Sequence, residues 1–411
     1  MIMKYKTLLL SMLLPILLPG NTAHADWKET LGNMWGSTEE KTKDYYNAIT
    51  DKSVLPVSPE MVNKESSKHL KKVWTDVLEN LDEALELNAE IDDAPESRWF
   101  GADKQSLAED QVDIFRDIEE LLGNPGITAS RKHIDTLKDR IQTERHRIAG
   151  WKEKKVVASG DEKETLDHKI QKSLNKITDY NHNIDLEKNN LQIRLQQMGL
   201  LLSNEQVGVL LSRVDSDDII KMSAIYGVLN DITSQLMELT QEFDEDINQA
   251  RKYYGMHVIL LKFVMNLQQT YINKLDKEYL PKINRIRTDT ARLTEESKRL
   301  LQAERKPSRR DLLSRNLQSQ ALTLKVANIY AQQLGQQKSK VLQALELVKS
   351  DYRVAKNTYD TVKISADLIQ LMKSNQASFT ALMNIQIPDI VPFKNIEMQK
   401  KFEELSLLLK E

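Results

Sequence analysis

The chain has 411 residues, a formal net charge of −3, 29% charged and 6% aromatic residues, and no cysteine. The length allows two or three domains, and the charge-rich, aromatic-poor composition is that of long helices. Disulfides are excluded, and an acidic balance argues against nucleic acid as a partner, because neutralising phosphates needs a basic surface.

The first residues, MIMKYKTLLLSMLLPILLPGNTAHADW, read as an export signal. Lys4 and Lys6 precede an apolar run from Leu8 to Leu18 that contains Pro15 and is too short to span a bilayer. Ala23-His24-Ala25 is an A-x-A cleavage site, which places the start of the mature chain at Asp26. Residues 1–25 hold two lysines and no acid, so cleavage leaves 56 basic against 61 acidic residues. The expected location is the periplasm, with the external medium as the alternative.

Residues 26–125 are expected to form a small helical region. VLPVSPE (54–60) reads as a linker ending in Ser58 as N-cap and Pro59 at the first helical position. Leu70, Trp74, Val77 and Leu81 then share a helix face, and the helix stops near Asp92-Asp93-Ala94-Pro95. After a loop with Trp99 and Phe100, Ser106 and Glu109 suggest a capping box. Leu107, Ile114, Ile118 and Leu121 line the helix it opens, which ends at Gly123.

From 126 to 201 the pattern becomes heptads. Ile127, Ile134, Ile141 and Ile148 recur every seven residues, with Leu137 and Trp151 between them. Beyond a break at VVASGD (156–161), and an expected Asp161–Glu164 capping box, Ile170, Ile177, Ile184, Leu191 and Met198 recur in the same way, with Leu174 and Leu195. Ile148 with Ile170, Ile141 with Ile177, Ile134 with Ile184, and Ile127 with Leu191 all give the same sum, 318. Constant sums are the signature of an antiparallel hairpin. Asn181 and Lys188 fall on the seam and are read as fixing its register.

Residues 202–383 are expected to form a second, longer hairpin. Asp215 and Asp218 would cap its first arm. The seam then runs unbroken from Ile225 through Phe243, Asp246 and His257 to Tyr271, and Pro281 interrupts it. The turn falls at ERKPS (304–308), where Pro307 stops the first arm and Ser308 with Asp311 opens the second. That second arm is a helix of roughly 100 Å reaching about residue 373. The pairing sum is 612, matching Tyr271 with Val341, Leu267 with Leu345 and Phe243 with Ile369, and setting Lys274 against Lys338. A tail, 384–411, combines the Pro-interrupted strip IQIPDIVPF with a short helix carrying Met398, Phe402, Leu405 and Leu409. It is expected to dock on its own chain, with a partner as the alternative.

The most apolar stretch is 255–275. Val258, Ile259, Leu261, Phe263 and Met265 add apolar groups all round the seam residues Leu260, Val264 and Leu267. A helix apolar on all sides is buried on all sides. These five residues are therefore read as core under neighbouring helices, with a partner or a second copy as the alternative. His257 and Lys262 argue against membrane insertion.

Nothing in the sequence points to catalysis. No two mature histidines stand three or four apart, and there is no H-E-x-x-H, P-loop or G-x-S-x-G. DSDD (215–218) lacks the central glycine and closing acid of a calcium loop. No catalytic, cofactor-binding or metal-binding residues are assigned. In periodicity, though not in any motif, the chain resembles helical-hairpin proteins of bacterial envelopes, such as the periplasmic parts of large mechanosensitive channels and of efflux adaptors. The expected class is all-α and elongated: two antiparallel coiled-coil hairpins with a smaller N-terminal helical region. The expected role is a non-enzymatic scaffold or adaptor acting on envelope proteins. The alternatives are a helical pore-forming toxin component and a soluble partner of an envelope channel or transport complex.

Overall fold

A computed structural model describes residues 65–97, 102–197, 200–243, 246–361, 365–388 and, apart from 389, 391 and 394, the rest up to 410. The signal segment with Ala23, Ala25 and Asp26, the 54–60 linker, Trp99, Phe100 and Met198 lie outside these residues. Among the described residues the fold is all-α, with no strand.

Helices α1 (Glu65–Asp93) and α2 (Lys104–Leu122) pack together through Leu70, Val77, Leu81, Ile114, Phe115 and Ile118. The N-cap of α2 is Asp103, not Ser106. Its carboxylate accepts from Ser106 N at 3.0 Å while Ser106 Oγ accepts from Asp103 N at 3.0 Å, so Ser106 closes the box that it was expected to open.

Helices α3 (Pro125–Val157) and α4 (Asp161–Gln197) form the first antiparallel pair. The predicted register agrees with the contacts within a few residues: Ser173 Oγ donates to Glu144 at 2.5 Å, and His133 Nδ1 lies 3.3 Å from Glu187. Ile127, Ile134, Leu137, Ile141, Ile148, Ile184, Leu191 and Leu195 are buried. The interleaved positions on α4 differ from the expectation. Leu174 and Asn181 are exposed, and half-buried Lys188 pairs with Asp185 at 3.3 Å. Ser173 and Tyr180, one residue earlier, face the seam instead. The polar group that fixes register is Glu144, buried between Ser173, Lys176 (3.2 Å) and Arg147 (2.7 Å). The Ser173 hydrogen bond, aided by Lys176 and Arg147, outweighs burial and holds its carboxyl below the usual range. Asp161 is the first residue of α4 rather than its cap, preceded by Gly160 at φ +49°, a left-handed turn that suits glycine.

After a short helix α5 (Asn204–Leu211), the second hairpin departs from a straight rod. Its first arm is divided into α6 (Ser216–Glu242) and α7 (Ile247–Lys274), which lie antiparallel. Asp246, expected in the seam, is the N-cap of α7: its carboxylate accepts from Asn248 N at 3.1 Å and Gln249 N at 3.3 Å. The arm continues through a π turn (Leu275–Tyr279) into α8 (Leu280–Ala303). Pro281 explains the π turn. Its nitrogen cannot donate and its ring crowds the preceding turn, so the helix widens there rather than breaking.

The return arm is divided in the same way. Helix α9 (Pro307–Thr361) is about 82 Å long, and α10 (Ser365–Gln386) runs back beside it. Pro307 is the first residue of α9, so Ser308 is inside the helix and does not cap it. The first arm reverses between the end of α6 at Glu242 and the start of α7 at Ile247, and the return arm between the end of α9 at Thr361 and the start of α10 at Ser365, at the same level. The predicted rod is thus folded over once into a four-helix body of α6, α7, α9 and α10. Pairing near the 612 sum persists in both layers: Tyr254 OH donates to Ala355 O at 3.3 Å between α7 and α9, and Thr240 Oγ1 lies 3.9 Å from Met372 Sδ between α6 and α10. Lys274 and Lys338 do not oppose each other. Lys274 pairs with Asp218 at 2.6 Å and Lys338 with Asp276 at 2.7 Å.

Helix α11 (Ile396–Lys410) closes the chain on α9. Phe402 stacks on Tyr330, with centroids 4.2 Å apart and planes at 10°, and Phe393 lies 4.9 Å from Phe402. The tail docks on its own body, as its apolar strip required.

Candidate functional site

The segment Ser212-Arg213-Val214-Asp215-Ser216-Asp217-Asp218, between α5 and the first turn of α6, is where these elements meet. Arg213 and Asp215 are buried. Arg213 Nε and Nη2 donate to the Asp215 carboxylate at 2.8 and 2.7 Å, and Tyr271 OH from α7 donates to the same carboxylate at 2.7 Å. The Val214 amide donates to Tyr330 OH on α9 at 2.6 Å, and that hydroxyl shares a hydrogen bond with Ser406 Oγ on α11 at 2.9 Å. From α3, buried Arg131 donates to Ser216 Oγ at 2.6 Å and pairs with Asp217 at 2.5 Å. Asp218 takes Lys274 and, at 2.8 Å, Tyr279 OH from the π turn. Asp215 and Asp218 therefore do not cap α6. They bind partners on other helices, and no side-chain cap bond forms.

Burial opposes the charge of Arg213, yet the adjacent Asp215 carboxylate raises its pKa above the ordinary value. Burial, with Asp215 beside it, pushes the Tyr271 hydroxyl well up, and burial does the same for Tyr330. Arg213 is thus fixed as a guanidinium and the two tyrosines as neutral phenols. With Asp215 and Val214 they are buried and hydrogen-bonded to one another. What they do is mechanical: they fix α3, α7, α9 and α11 to one short segment. Breaking such a buried pair by removing one member costs about 3–5 kcal/mol. No local sequence signal announced this junction, because its partners lie 56 to 116 residues from Asp215 and Val214.

The expected surface-or-core residues fall in the core. Val258, Ile259, Leu261 and Phe263 are buried and Met265 is half-buried. Helix α7 is covered by α1, α6, α9 and α10, and by α2 through Phe115, whose ring lies 5.7 Å from Phe263. Lys262 reaches Asn88 at 2.7 Å, and Lys252 reaches Asp82 at 2.5 Å. Gly255 lets α1 and α9 approach: a Cβ there would sit 2.8 Å from Leu85 Cδ2 and 2.9 Å from Tyr359 Cε2. His257 is buried, with Asn375 Nδ2 3.1 Å from its Nε2, and serves packing.

Among the described residues no group of three His, Cys, Asp or Glu could hold a metal, and no helix is long and apolar enough to cross a membrane. Among the described residues, the ends of the two helical pairs are left open. Beyond Arg131, α3 packs chiefly on α4, and α8 chiefly on α9. Val156 and Val157 at the first end are 83% and 88% exposed. No family model, curated protein or solved structure matches this chain.

Proposed function

We propose that this protein is a non-enzymatic, exported helical scaffold or adaptor that works in the bacterial envelope through protein–protein contacts. The observation that carries the reading is the pairing of a locked body with free helical ends. The 212–218 junction holds α3, α7, α9 and α11 in fixed relation, while α3–α4 and α8–α9 continue past it with few other neighbours. Such a frame sets a distance between whatever its ends touch. The export signal supports periplasmic residence, and the burial of 255–267 favours a scaffold over a toxin whose apolar segment must be free to move.

Photo-crosslinking amino acids at Val157 and at Lys306, in cells, test this reading. Specific envelope proteins are expected from at least one end. Recovery of none, together with a dispersed monomer and a cytoplasmic fraction holding the protein, would refute it. Leakage of dye from liposomes would favour the toxin instead.

A further inference from the structure

We propose that the free end of the α8–α9 pair is a docking surface for an anionic lipid bilayer. This goes beyond the scaffold reading and does not depend on it. In an acidic chain, residues 298–310 hold six lysines and arginines and one carboxylate, Glu304. That carboxylate is already engaged, accepting from the Arg305 and Lys306 amides at 2.9 Å. Arg310 is engaged as well, donating to the carbonyls of Leu301 and Glu304 at 2.9 Å and closing the end of α8. Arg299, Arg305 and Lys306 are exposed around it.

Leucines stand among these cations. Leu300 is 51% exposed, Leu312 59% and Leu293 42%. The Arg310–Leu301 bond places Leu300 and Leu312 within about a turn of each other along the rod. Glu295 and Asp311 flank the cluster and pair with Lys298 and Arg315, and Glu304 also takes Arg309, which leaves Arg299, Arg305 and Lys306 as the cations beside the leucines. Exposed leucines beside such an excess of cations match anionic headgroups over acyl chains. The end of the α3–α4 pair provides the contrast: residues 152–164 hold four basic and four acidic residues, so its exposed valines lack the charge.

A second copy is the competing occupant. Residues 65–122 hold 17 acidic and six basic residues and would attract the basic end. Among the described residues of α1 and α2, however, the exposed large apolar side chains reduce to Val112, which leaves the leucines uncovered. Lipid satisfies both halves of the surface. Membrane contact was disfavoured from the sequence because insertion of 255–275 was the route considered. The contact proposed here is peripheral and leaves α7 in the core.

The test is co-sedimentation of the processed chain with vesicles of phosphatidylcholine alone and of phosphatidylcholine mixed with phosphatidylglycerol. Binding is expected to the mixed vesicles alone and to fall as salt is raised. Each basic residue at an anionic surface strengthens binding about five-fold, so Arg299→Gln, Arg305→Gln and Lys306→Gln together should weaken it about 100-fold. Leu300→Ser with Leu312→Ser should weaken it about ten-fold. Lys154→Gln with Lys155→Gln should change nothing. All these side chains but Lys155, half-buried beside Asp167, are exposed, and unchanged circular dichroism verifies the fold. Equal binding to both vesicle types, or full binding by the triple variant, would overturn the proposal. So would salt-sensitive self-association without lipid, abolished by the triple variant, in a chain that ignores vesicles; that result assigns the end to a second copy.

Discussion

Lowering the pH from 7.5 to 5.0 is expected to cost this fold about 2 kcal/mol through one side chain. His257 is buried, with Asn375 Nδ2 3.1 Å from Nε2 and the rings of Tyr254 and Phe379 at 6.1 and 6.3 Å. Burial pushes its pKa from 6.5 down to about 4. Between those values the unfolded chain takes up a proton that the folded chain refuses. Stability is therefore intact above 6.5, falls as the pH drops below it, and levels off past 4. At about 1.36 kcal/mol per unit the full loss is about 3.4 kcal/mol, and about 2 kcal/mol of it is complete at pH 5. His257→Gln keeps a polar group beside Asn375 and does not titrate. Urea unfolding of both proteins at the two pH values isolates this contribution, because other titrations cancel in the comparison. The parent should lose about 2 kcal/mol more than the variant. Equal losses would show that His257 is solvated or charged in the folded state, and the burial argument would fail.

Asp215→Ala leaves the Arg213 guanidinium buried and unpaired, and equilibrium denaturation should show a loss of about 3–5 kcal/mol, with about 1 kcal/mol for Tyr271→Phe. Gly255→Val should destabilise by about 1–3 kcal/mol in the same measurement, since its Cβ would press on Leu85 and Tyr359 from both sides. Phe402→Ala removes the partner stacked on Tyr330 and should cost about 3–5 kcal/mol, with faster proteolysis across 385–393 as the local readout. In a chain without cysteine, Ile134→Cys with Ile184→Cys should oxidise to an intramolecular disulfide. Ile134→Cys with Leu191→Cys, two turns out of register, should not.

The α3–α4 register was legible because each arm of a two-helix seam has one partner, and isoleucine repeats on both arms fix one sum. Its polar detail was less so. Glu144 looks like any surface acid until Ser173 and Lys176 are seen across the seam. The doubling-over of the longer hairpin escaped the same arithmetic for a physical reason. Both arms reverse at one level, so the sum 612 is conserved through the fold, and α6 and α7 point their stripes into one core in continuous phase. No glycine or proline marks 243–246. The available signal was Asp246 itself, a carboxylate at a seam position that is better explained as a cap over Asn248 and Gln249. The junction at 212–218 was illegible because charge order along the chain carries no record of which distant tyrosine or arginine will close on it. The basic end at 298–310 was present in composition all along, but its meaning depends on knowing that the leucines there remain uncovered.

The α3–α4 pair has a final property that follows from its near-isolation past Arg131. Seven residues inserted into each arm at matching levels would preserve every seam contact and carry the tip outward by about 10.5 Å, leaving the body untouched. The same insertion in one arm alone would shear the seam. Reach in this molecule is thus a ruler graduated in paired heptads, adjustable without renegotiating the fold that holds it.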